Sequence, residues 1–137
     1  MQQQVVSGPG FRFAAPAAWR VARTGRAVSA SQDSELVQVS TFRLVKPYTP
    51  KLFDRVEREL SARMREVAAA TGGKVTASKT VTAGGIRSHA YDVTVGDHVD
   101  QYTFVLRGMR EYQLLCRRLS AHGTEACDAL IASFTPV

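Results

Sequence analysis

The sequence is short of the features that announce a function. It contains no run of eighteen apolar residues, so no helix in it is expected to span a bilayer. Its start, Met1-Gln2-Gln3-Gln4, has neither a charged opening nor an apolar stretch behind it, so it is not a secretory signal. That abrupt polar opening reads as a trimmed start, with the signal sequence and any anchor of the full-length protein expected upstream of it. No Walker loop, G-x-S-x-G elbow, H-E-x-x-H helix or papain-like cysteine string occurs. Only two cysteines and three histidines are present, too few and too scattered for a zinc site to be read from spacing. The expected catalytic, cofactor-binding and metal residues are therefore none.

Acid is missing from one end. Residues 1–32 carry Arg12, Arg20, Arg23 and Arg26 and no Asp or Glu, so +4 of the net +6 lies there. The rest of the 137-residue chain mixes its signs. The four arginines are candidates for contact with anionic lipid headgroups or wall polymers; a merely solvated face is the plainer reading. Nucleic acid would ask for exposed aromatics interleaved with the basic residues, and Phe11, Phe13 and Trp19 read as core, so no nucleic-acid partner is expected.

What is present is a clear sequence of elements. The length fits one domain that buries roughly two-thirds of its unfolded surface, with residues 1–10 as a disordered or extended lead-in and 11–137 as the domain. Phe11-Arg12-Phe13 alternates like a strand that Pro16 ends, and short strands follow to Ser31. Glu35 to Val45 alternates strongly, and Lys46-Pro47 is expected to break it. Thr49-Pro50 is an N-cap and N1 pair opening a helix to about Ala70, with Phe53, Val56, Leu60, Met64 and Val67 as its apolar stripe. Gly72-Gly73 stops it. From Lys74 the period becomes two, and Gly84-Gly85, Gly96-Asp97 and Gly108-Met109 divide the remainder into a four-strand antiparallel meander ending near Arg117. A short helix from Thr124 to about Ser133 closes the chain, its Cys127, Leu130, Ile131 and Phe134 facing the sheet. The expected fold class is α+β, a largely antiparallel central sheet with one long helix and one C-terminal helix.

Cys116 ends a strand and Cys127 lies in the first turn of the last helix, eleven positions apart. A disulfide, a reactive pair and two buried thiols are the three readings. The placement suits a bridge of ordinary geometry, and the disulfide is the expectation. A bridge of that kind implies an oxidising compartment. Among the histidines, His98 with Asp97 and Asp100 is the best local cluster, yet turn residues of this type are usually just solvated. If the chain were a small enzyme acting on an envelope component, His89, Tyr91 and Asp92 would be the residues to inspect. Strand alternation predicts that His89 and Asp92 point to opposite faces.

The opening Phe11-x-Phe13-x-x-Pro16-x-x-Trp19, the single amphipathic helix, the meander and the Cys-to-Cys closing segment ending Ser133-Phe134 resemble the PsbP-like superfamily. Within it the chain resembles most closely the bacterial envelope lipoproteins of the LpqN type. The resemblance implies an α/β/α sandwich around a central antiparallel sheet, and a non-enzymatic binding or accessory domain outside the cytoplasm. An envelope protein or a small amphiphile would be its partner. A small enzyme and an intracellular interaction module are the alternatives.

Overall fold

A computed structural model describes residues 2–137. The elements follow the order β1 (Gln3–Gly8), β2 (Phe11–Pro16), β3 (Arg20–Thr24), β4 (Ala27–Gln32), β5 (Glu35–Tyr48), α1 (Phe53–Thr71), β6 (Lys74–Ala83), β7 (Ile86–Val95), β8 (His98–Leu119), α2 (Glu125–Ser133) and β9 (Thr135–Pro136). The central sheet has the order β3-β4-β5-β8-β7-β6 and every pairing in it is antiparallel.

β8 folds back on itself. Seventeen extended residues would separate Asp100 from Arg117 by about 56 Å, yet Arg117 Nε donates to Asp100 Oδ1 at 2.7 Å. Ser120 N–H likewise donates to Asp97 O at 2.7 Å. Both contacts are those of a hairpin turning at Gly108-Met109, where Gly108 has φ +58°. Its first arm pairs with β7 and its second with β5, so the expected meander is present.

The two faces of this sheet are covered differently. On one lie α2 and a small sheet of order β1-β2-β9, enclosing Phe11, Phe13, Val37, Val39, Leu114 and Phe134. On the other, α1 covers only the β6, β7 and first-arm β8 end, where Leu60, Met64 and Ala68 pack on Tyr91, Val93 and Phe104. Side chains of Leu60 or Met64 size contribute about 1.5–3 kcal/mol each when fully buried. The result is the expected α/β/α arrangement with a small sheet added beside α2.

In the lead-in the extended form is seen: Gln3–Gly8 pairs along its whole length with β2, and Gln4 Nε2 donates to Trp19 O at 2.8 Å. Two expectations need correction. Pro47 does not end β5, which runs to Tyr48. The pairing with β8 becomes irregular between Arg43 and Tyr48, where a residue without an N–H is tolerated. One 3-10 turn, Pro50–Leu52, precedes α1. The Thr49 side chain caps nothing. At the start of α2, Thr124 Oγ1 donates to the Asp128 carboxylate at 2.9 Å.

Candidate functional site

The closing unit meets its sequence reading. Cys116 and Cys127 are joined, with S–S 2.00 Å and Cα–Cα 5.4 Å, and both are buried. The bridge fastens α2 to the second arm of β8 beside Leu130, and Ala14 N–H donates to Ser133 Oγ at 2.8 Å at the helix's other end. A nine-residue helix is too short to persist unaided. The staple and this flanking packing hold it.

The histidines are engaged in structure. His89 is buried, its ring stacked 3.8 Å from that of Phe53, and its Nε2 lies 2.9 Å from Phe53 O. Tyr91 shares that face, and its hydroxyl lies 3.3 Å from Ser61 Oγ. Burial pushes the Tyr91 phenol above its ordinary pKa, with the Ser61 hydrogen bond opposing. Asp92 sits across from Gln101 on the opposite face, as alternation requires, so His89, Tyr91 and Asp92 do not converge. His98 is within 4.0 Å of both Asp97 and Asp100. Asp100 is taken by a two-point bond from Arg117, at 2.7 and 3.1 Å. His122 meets Glu35 across the loops.

The four N-terminal arginines come from two sheets. Arg12 lies in the small sheet, paired across from Ser7 and Thr135, whereas Arg20, Arg23 and Arg26 follow the β3 edge of the large one. Arg23 Nη2 donates to Ser7 O at 3.2 Å, and Arg26 stands 5.9 Å over the Phe42 ring.

One largely apolar concave feature is one that sequence reasoning missed. It is built where the C-terminal end of β5, the start of α1, the β6–β7 hairpin and the β8 turn come together. Tyr48, Phe53, Ile86, Arg87, Leu106 and Gly108 line an open cleft of about 310 Å³. A second cleft of about 440 Å³, running along α1 past Val56 and Leu60 to Glu111, shares Tyr48 and Leu106 with it. The floor is aromatic and aliphatic, while Arg87, Arg107, Lys46, Arg55 and Arg63 stand along the walls. Arg87 is fixed 3.9 Å over the Phe53 ring, a cation–π contact worth about 0.5–1 kcal/mol at an exposed site. Tyr48 and Arg87 both line this cleft; burial raises the Tyr48 phenol and the Arg87 charge pulls it down. Glu59 and Glu111 also line the longer cleft, and Glu111 accepts from Arg63 and from Gln113, the latter at 2.6 Å. An apolar floor with a cationic rim can hold a molecule that carries an alkyl or aromatic body and an anionic end.

No protein-family model matches the sequence, and no curated protein matches it. Solved structures do match in shape. A protein of Bacteroides thetaiotaomicron VPI-5482 superposes with TM-score 0.67 at 12% identity over all of this chain and 49% of its own. This chain thus spans about half the length of that protein. The cyanobacterial PsbP (CyanoP) of Synechocystis sp. PCC 6803 superposes with TM-score 0.70 at 13% identity over 98% of this chain and 92% of its own. The fold of this chain is PsbP-like.

Proposed function

We propose that this chain is a non-enzymatic, extracytoplasmic binding domain, the soluble part of an anchored envelope lipoprotein of the LpqN type, and that it holds a small anionic amphiphile in the cleft beside α1. The observation that carries the reading is the pairing of an apolar floor, Tyr48, Phe53, Ile86 and Leu106, with Arg87 and Arg107 at the mouth. The Cys116–Cys127 bridge fits an oxidising compartment, and no helix among the described residues is long and apolar enough to cross a membrane. His89, spent on Phe53, leaves the envelope-enzyme alternative without its first candidate base.

The test is an amide-resolved NMR titration with dodecanoate below its micelle concentration, with dodecyl maltoside as a chain-matched neutral probe. Dodecanoate shifts the amides of Tyr48, Ile86, Arg87 and Leu106 saturably, the neutral probe binds at least tenfold more weakly, and Ile86→Glu abolishes the effect. Shifts scattered over the surface, or equal response to both probes, contradict the reading. Incubation with p-nitrophenyl dodecanoate separates the enzyme alternative: stoichiometric recovery of intact ester is expected.

A second reading rests on the same face of the sheet. Beyond α1, the β5 and second-arm β8 strands carry half-buried Leu36, Phe42 and Leu115 with no helix over them. A protein partner from the envelope would dock there, and chemical crosslinking in the native cell that reaches Phe42 but spares Tyr48 favours it.

A further inference from the structure

Independently of the cleft beside α1, the structure places three arginines from three distant segments around another depression. Arg43 of β5 and Arg110 of the second β8 arm are directly opposite each other in register. Like charges at directly opposed positions of an antiparallel pair oppose the pairing instead of supporting it. Arg26, in the turn between β3 and β4, joins them along a cleft of about 300 Å³ with Pro9, Phe42 and Met109. No acidic side chain among the described residues lines this cleft, and none of the three arginines is in an ion pair among those residues. The one acid next in sequence, Glu111, points through the sheet to the α1 side, where Arg63 and Gln113 hold it.

The backbone around the cleft is held in place. β4 ends its pairing with β5 at Ala27 opposite Ser40, and Thr41 N–H then donates to Arg26 O at 3.3 Å, which ties the Arg26 turn to β5. Thr41 Oγ1 donates to Pro9 O at 3.4 Å and Tyr112 Oη to Gly10 O at 3.3 Å, fixing the β1–β2 turn against the same strands. Gly10, at φ +83°, lies under the Arg110 guanidinium: a Cβ built there would stand 3.7 Å from Nη1. Arg43 and Arg110 thereby share one face of the sheet at opposed positions, Arg26 lines the same cleft from above Phe42, and no acid among the described residues lines it; guanidinium forks gathered in this way can recognise a tetrahedral oxyanion.

We propose that Arg26, Arg43 and Arg110 form a binding site for a phosphate-type oxyanion, carried either on a lipid headgroup or on a small soluble phosphate. The bound anion sits between Arg43 and Arg110 and converts their mutual repulsion into two charge-assisted contacts.

Inorganic phosphate and phosphatidylglycerol vesicles, with phosphatidylcholine vesicles as the neutral control, are the probes. Phosphate is titrated into the folded protein at low ionic strength and followed by calorimetry and by melting temperature. The wild type shows saturable binding and a rising melting temperature. Arg43→Gln/Arg110→Gln weakens binding at least tenfold and loses the thermal response, while Arg12→Gln/Arg20→Gln keeps both. Without phosphate, Arg43→Gln alone melts no lower than wild type, because a like-charge contact has been removed. Binding of phosphate itself assigns a soluble oxyanion. Co-sedimentation with phosphatidylglycerol vesicles only, lost in the Arg43→Gln/Arg110→Gln variant, assigns a headgroup; either result supports the site. The proposal is overturned if neither probe binds, or if the Arg43→Gln/Arg110→Gln and Arg12→Gln/Arg20→Gln variants respond alike.

Discussion

Replacing both bridged cysteines, Cys116→Ala/Cys127→Ala, tests the closing unit quantitatively. The bridge closes a loop across eleven positions. Chain-entropy bookkeeping for a loop of about 12 residues gives about 9.5 cal/mol/K, or about 2.8 kcal/mol at 25 °C. Both residues are buried, at 1% and 4% exposure, so losing the sulfurs also removes packed volume, adding about 1 kcal/mol. A 137-residue domain unfolds with an entropy of about 290 cal/mol/K near its midpoint. The double variant should therefore melt about 10–13 °C below wild type, read by calorimetry on both proteins at equal pH. The loss should be felt first in α2. Its remaining anchors are Leu130, Phe134 and the Ser133 contact to Ala14, so amide exchange in residues 125–133 should accelerate before exchange in β5 does. A melting point within 3 °C of wild type, with α2 amides as protected as before, would refute the view that the bridge is the staple of this helix.

Three further outcomes are expected. Leu60→Ala empties the contact between α1 and Phe104 and should cost about 2–5 kcal/mol in urea unfolding, whereas Arg58→Ala on the exposed face should change stability by less than about 0.5 kcal/mol. Gly84→Ala should destabilise by at least about 1 kcal/mol, because Gly84 has φ +58° and an added Cβ would come 2.7 Å from Pro136 Cδ; Gly85→Ala, in open space, would carry only the backbone strain. Tyr48, Tyr91 and Tyr102 all hold their protons above the ordinary value of 10.0, chiefly through burial. Above about pH 10 the unfolded chain then binds fewer protons than the folded one, so stability is intact below that pH and falls as pH rises through the folded values. Urea midpoints from pH 8 to 11 should show that decline, and Tyr91→Phe should flatten it.

Elements with a regular period were legible from the residues. α1 repeats its apolar side chains at three- and four-residue steps, and Phe53, Leu60 and Met64 are indeed its buried stripe. The glycines at 84, 96 and 108 marked real turns, because each occupies a positive φ that other residues resist. β1 was not legible because Gln3-Gln4-Val5-Val6 buries only Val6 fully; its strand state comes from pairing with β2, which carries the aromatics. Pro47 misled for a related reason, since it sits where pairing with β8 is already irregular. The candidate sites were hidden more deeply. Tyr48, Ile86 and Leu106 meet only after three strands have found their registers, and nothing local in the chain says that Arg43 will stand opposite Arg110. The arginines that composition made conspicuous are instead divided between two sheets.

The most direct test of an amphiphile-holding cleft is photo-crosslinking with a diazirine-bearing dodecanoate, followed by peptide mapping. Adducts are expected only on the segments bearing Tyr48, Ile86 and Leu106, suppressed by unlabelled dodecanoate and absent in Ile86→Glu. Adducts centred on Leu36, Phe42 and Leu115, or labelling that dodecanoate does not compete away, would contradict it.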